Sequence, residues 1–159
     1  MKGDEGDGIR RIVVGVDGSD GAARAVTWTA RLARTTGAEV VAAHAIETPI
    51  FLDGYPLVAG SIPAEPWDVA WKEWREHEHE TLELQWCRPL AEAGVRYRAE
   101  TIGGGPKALI ELAESEDADA IVVGRRGRGG FAELVLGSFS HHLVHHSNRP
   151  VIVVPPAQG

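Results

Sequence analysis

The sequence predicts a single α/β domain, a three-layer sandwich built on a five-stranded parallel sheet with helices on both faces. Three observations predict it. Five short apolar runs alternate with four amphipathic stretches, in strict β-α order. Most of those runs are continuously apolar and β-branched, as strands buried on both faces must be. Glycine, proline and hydroxyl residues sit at the seams, where caps and turns belong.

The first run, RRIVVGVD (10–17), has an apolar centre at Ile12–Val14 and Val16 and ends on Asp17. Gly18, Ser19 and Asp20 supply a turn and an N-cap. Residues 21–36 are Ala-rich, with Ala22, Val26, Thr29 and Ala33 on one stripe, and Gly37 is placed to end that helix in the left-handed region. EVVAAHAI (39–46) is the second buried strand. Residues 47–66 hold four prolines and two glycines and read as a long loop,. A helix is expected from Trp67 to about Ala93, with Trp67, Trp71, Trp74, Leu82, Trp86 and Leu90 on its apolar stripe and Pro89 kinking it or ending it early. VRYRAETI (95–102) alternates, so it suits a half-exposed strand at a sheet edge. Pro106 opens a helix that buries Leu109, Ile110 and Ala113. Ile121–Val123 form the fourth strand, residues 138–147 the last helix, and PVIVVP (150–155) the fifth strand.

At 159 residues, one domain from 9 to 156 is expected, preceded by a polar, acidic segment (1–8) that reads as a disordered tail,. No apolar run approaches the ~20 residues of a membrane helix. Cys87 is the single cysteine, so no internal disulfide or CxxC metal site exists, and it reads as a small packing residue,. A cytoplasmic location is expected. Net charge is −7, from 23 acidic and 16 basic residues, which argues against binding nucleic acid or an anionic membrane,.

The strongest chemical signal is residues 121–140, IVVGRRGRGGFAELVLGSFS. A buried strand opens into GRRGRGG, which packs four glycines and three arginines into seven residues. Glycine lets successive backbone amides turn inward into an anion-binding concavity. A helix beginning at Ser138 would aim its orphan N–H groups and positive dipole end at the same place. Arg125, Arg126 and Arg128 form a local cationic cluster on an acidic chain, which suits a small anion better than a polyanion. Gly124, Gly127, Gly137 and Ser138 are spaced G-x2-G-x9-G-S; the chain has neither G-x4-G-K-[ST] nor G-x-G-x-x-G.

From about Ile9 to Val154 the chain resembles the universal stress protein family, through its VGVDGS opening, the AHAI strand end, the G-x2-G-x9-G-S spacing and the closing HHSNRPVIVV. It is similar at each motif position to the ATP-binding branch. The resemblance implies sheet order 3-2-1-4-5, with the first two helices on one face and the last two on the other. Strands 1 and 4 would then flank the reversal point where α/β sheets bind ligands, with Asp17 and Gly124 at its mouth. It further implies ATP, with Mg2+, as ligand. Asp17 and the backbone of Ala45 would meet the adenosine end, Gly124 and Gly127 would line the ribose and phosphate path, and Gly137 and Ser138 would hold phosphates. The Arg125–Arg126 pair departs from the family pattern, yet guanidinium groups suit phosphate oxygens. A homodimer through Val151, Ile152, Val153 and Val154 is implied too, since an uncovered β-branched edge invites pairing.

The implied role is a stress-response or signalling protein acting through nucleotide-dependent conformation or partner binding. No enzyme is expected: there is no G-x-S-x-G elbow and no dedicated general base. The alternatives are a slow ATP-cleaving enzyme, a non-nucleotide interaction module and a cyclic AMP binder. HHLVHH places His141 with His145, and His142 with His146, on shared helix faces. With no third ligand in the motif, no metal site is expected there. His77 and His79 read as solvated, and the tryptophans as packing residues rather than a base-stacking site.

Overall fold

The computed structural model describes residues 8–46, 65–126 and 136–157. Five parallel strands form one sheet in the order β3-β2-β1-β4-β5, the order implied by the resemblance. They are β1 (Arg11–Gly15), β2 (Glu39–Ile46), β3 (Tyr97–Gly103), β4 (Ala120–Gly124) and β5 (Val151–Val154). Strand alternation divides the core in two. Ile12, Val14, Val40, Ala42 and Val122 face one layer, where they meet Ala25, Val26, Leu82 and Leu90. Val13, Val41, Ala43, Ile121 and Val123 face the other, against Leu109, Ile110, Ala113 and Leu143. That two-sided burial is why β1, β2 and β4 are continuous apolar runs.

Helix α1 (Asp20–Thr36) has the expected ends: Ser19 Oγ accepts from the Ala22 N–H, and Gly37 closes the helix at φ 76°. On the same face lie α2 (Glu65–Thr81), a π-helical segment (Leu82–Trp86) and α3 (Arg88–Glu92). These replace the single helix expected from Trp67 to about Ala93. The break falls just before Pro89, which has no N–H and whose ring crowds the carbonyl four residues back, at Gln85. The Cys87 N–H instead reaches the Leu82 carbonyl, five residues back, at 2.9 Å,. The wider turn shifts the buried stripe by one residue. Leu82, Cys87 and Leu90 are fully buried, while Trp86 is only half-buried.

Helices α4 (Gly105–Ser115) and α5 (Ser138–His146) cover the opposite face. At the N-terminal end of the sheet, Asp119 accepts from the Arg10 and Arg11 amides at 2.7 and 2.9 Å, tying β1 to β4. Nearby, Arg98 and Arg11 both pair with Glu39 and Glu116. No helix among the described residues is long and apolar enough to cross a membrane.

Candidate functional site

Four segments carry the expected site residues at the C-terminal ends of the strands. Asp17 follows β1 by two residues and receives both the Ser19 N–H (3.0 Å) and the Ser19 hydroxyl (2.5 Å) on Oδ1. The carboxylate therefore shapes the turn into α1. Ala45 lies at the end of β2, next to buried His44. The His44 ring stitches two of these strand ends together: its Nδ1 is 2.7 Å from the Val16 carbonyl, and since a carbonyl only accepts, Nδ1 carries the hydrogen. On the other side, His44 Nε2 lies 3.1 Å from Glu78 Oε2 of α2. That oxygen is buried and accepts no hydrogen bond. Trp86 meets the same ring edge-on, at 5.2 Å between centroids.

Gly124 ends β4, and its lack of a side chain has a use that the sequence did not suggest. A Cβ at Gly124 would run into the backbone of Gly21, whose Cα would be 2.9 Å away; a Cβ at Gly21 would run into the Arg126 carbonyl. The first turn of α1 thus rests directly on the backbone leaving β4. Arg125 then fastens two more elements. Its N–H donates to the Val154 carbonyl at 2.9 Å, and its own carbonyl accepts from the Gly137 N–H and the Ser140 hydroxyl, both at 2.9 Å.

Helix α5 begins at Ser138 as expected, and Gly137 is its N-cap, with ordinary extended backbone (φ −68°, ψ 158°). Ser138 is the first helical residue and is exposed, whereas Ser140 is buried. The first i→i−4 bond runs from His141 to Gly137, which leaves the Ser138, Phe139 and Ser140 amides as the orphan donors of the helix N-terminus. The Gly137 amide is not among them, being already bonded to Arg125. Arg125 and Arg126 are half-buried beside this end. Gly127, Arg128, the segment 1–7 and residues 47–64 lie outside the described residues, as does the side chain of Trp67.

Sequence reasoning missed His44, Glu78, Gly21 and Ser140. A histidine inside an apolar strand run is a visible oddity, and a second serine two residues after Ser138 is another. Glu78 and Gly21 gave no local sign. His79 is not simply solvated, as expected: its Nδ1 pairs with Thr101 Oγ1 at 3.1 Å, fixing α2 to the edge strand β3. Trp71 and Trp74 stack on each other at 4.9 Å. Trp71 lines a groove of about 850 Å³ between α2 and β3, two strands away from the crevice.

A parallel α/β sheet in the order β3-β2-β1-β4-β5, with a turn bearing Asp17 after β1 and the N-terminus of α5 near the end of β4, defines the general class: a doubly wound domain, whose ligands bind at the reversal of strand order. The comparison with known proteins makes this specific. The universal stress protein family model matches residues 8–155, and the chain belongs to that family. It is 30% identical over 148 residues to universal stress protein MJ0531 of Methanocaldococcus jannaschii, covering 91% of this chain and 81% of that protein. Among solved structures, the hypothetical protein MJ0577 aligns with a TM-score of 0.78 at 22% identity, covering 95% of this chain and 99% of the other. A universal stress protein in complex with cAMP aligns with a TM-score of 0.61 at 25% identity, covering 93% and 98%.

Proposed function

We propose that this protein binds ATP, with Mg2+, in the crevice beyond β1 and β4, and acts through nucleotide-dependent conformation or partner binding rather than turnover. The observation that carries the proposal is the anchoring of α5. Its orphan amides at Ser138, Phe139 and Ser140 are held beside the C-terminal end of β4 by the two hydrogen bonds that the Gly137 N–H and the Ser140 hydroxyl donate to the Arg125 carbonyl. Asp17 stands at the end of the adjacent strand. Such amides, with the helix dipole behind them, favour a phosphate.

In this reading Asp17 and the Ala45 backbone receive the adenosine end. Gly124 and Gly127 define the path past the ribose, and Gly137 sets the entry into α5. The Ser138 hydroxyl, exposed at the first helical position, reaches the phosphates together with the orphan amides. Arg125 and Arg126 add charge-assisted donors. Mg2+ would come with the nucleotide and offset part of the phosphate charge. We place the protein in the cytoplasm as a stress-response or signalling component. It forms a homodimer by pairing β5 edges (Val151–Val154), which light scattering tests directly.

Calorimetric titration with ATP is the test. Gly127→Asp and Gly137→Asp should abolish binding while circular dichroism shows the fold intact; two variants that bind like the unmodified chain would refute the site. A second reading, cyclic AMP as the ligand, is favoured by the cAMP complex among the related structures. Displacement of ATP by cyclic AMP at sub-stoichiometric concentration would select it.

A further inference from the structure

Four of the chain's seven histidines fall within the nine residues of α5. The sequence shows that they form two i, i+4 pairs; the structure adds how the rings stand. His141 and His145 have ring centroids 4.3 Å apart with planes inclined at 40°. His142 and His146 repeat this at 4.4 Å and 40°. His141, His145 and His146 are exposed and His142 is half-buried. Leu143 points into the core, and Val144, between the pairs, is 50% exposed. The outward half of α5 is therefore imidazole around a single valine.

We propose that each pair chelates a divalent transition-metal ion of the Cu2+ or Ni2+ kind. Ring spacing and ligand chemistry together point to this class. An imidazole centroid lies ~3.1 Å from a metal bound at ~2.0 Å through one ring nitrogen, so two rings on one ion have centroids about 4.4 Å apart at a right angle and about 5.1 Å at a tetrahedral one. The observed 4.3 and 4.4 Å bring each pair close enough to share one ion at that right angle, the arrangement of square-planar or octahedral coordination. Imidazole ligands exclude Mg2+ and Ca2+, which take oxygen. Among the described residues no third His, Cys, Asp or Glu completes either pair, and the exposed rings leave the other positions of each ion to water. The ions exchange with solution rather than being locked into the fold. The last turn carries His145 and His146, where the helix dipole favours a cation. A bridge from i to i+4 also fixes the helical turn between its ligands. Metal binding thus stabilises the helix whose other end carries the Ser138–Ser140 amides, whether or not those amides hold a nucleotide.

The test uses the tag-free, nucleotide-free chain titrated with CuSO4 alone, followed by calorimetry and by electron paramagnetic resonance for nitrogen ligands on Cu2+. Two ions per chain with nitrogen coordination are expected. Replacing both exposed ligands of the first pair (H141Q with H145Q) should reduce the stoichiometry to one, and the fourfold variant H141Q, H142Q, H145Q, H146Q should abolish it. A single H145Q change should weaken the first site at least tenfold, since the chelate becomes a lone ligand. H77Q with H79Q should leave both sites unchanged. Two ions still bound by the fourfold variant, or no nitrogen-coordinated Cu2+ in the unmodified chain at ~1 mM metal, would overturn the proposal.

Discussion

Replacing Gly124 by alanine separates two uses of one glycine. If the position only admits a ligand, the ligand-free protein should tolerate a methyl group. The structure says otherwise, because the added Cβ would overlap the Gly21 backbone, with the Gly21 Cα only 2.9 Å away. Backbone cannot rotate aside as a side chain does, so α1 must lift from the end of β4. Overpacking a tight site costs ~1–3 kcal/mol, and a rigid neighbour puts Gly124→Ala at about the upper end. In a domain of this size about 3 kcal/mol lowers Tm by roughly 6–12 °C. Gly15→Ala is the internal control. Its Cβ would meet side chains rather than backbone, Val123 Cγ1 at 2.9 Å and Leu109 Cδ2 at 3.1 Å, and shifting these buried groups should cost less than moving a helix, about 1–2 kcal/mol. Thermal unfolding of both ligand-free variants by circular dichroism is the assay. A Gly124→Ala protein as stable as the unmodified chain, or more stable than Gly15→Ala, would refute the packing argument.

Other consequences can be checked with similar means. Asp119→Ala should cost about 2–3 kcal/mol in urea unfolding, because it leaves the Arg10 and Arg11 amides without their charged acceptor,. The hydrogen bond from Arg98 holds the Glu116 carboxyl below the usual carboxylate range. A carboxyl lowered in the folded state contributes stability above its unfolded pKa, and that contribution is lost as pH falls through the folded value. The stability gap between the unmodified chain and Glu116→Gln should therefore be full at pH 7 and vanish below the ordinary carboxylate range of about 4, as a pH series of unfolding curves will show. Burial, followed by the nearby Glu83 charge, pushes the Cys87 thiol up to about 12. At pH 8 it should resist iodoacetamide in the native protein and react in urea, read by mass spectrometry.

The sheet was legible because β1, β2 and β4 are buried on both faces, and that condition writes itself into sequence as unbroken β-branched runs. Helix α1 was legible because Ser19 and Gly37 perform local tasks, a cap and a left-handed stop, that depend on no distant residue. The break at Leu82–Trp86 was not. Pro89 announced a disturbance, but only packing against the sheet decides that an extra residue per turn brings Cys87 inward and turns Trp86 partly out. The crevice shows the same division. Its Gly-x2-Gly spacing and helix start could be read along the chain. That Gly124 lies against Gly21, and that Arg125 rather than a ligand occupies the Gly137 amide, depends on contacts spanning 103 and 12 residues, read from the partners. The serine whose hydroxyl anchors α5 is Ser140, two positions beyond the one the motif singles out.

Binding of ATP and Mg2+ to the nucleotide-free chain, measured by calorimetry beside the Gly137→Asp variant, bears most directly on the role assigned to the crevice. One nucleotide per chain, with binding lost in the variant while circular dichroism shows the fold retained, is the expected result. Heat of binding that is absent from the unmodified chain, or undiminished by a carboxylate at the cap of α5, would contradict it.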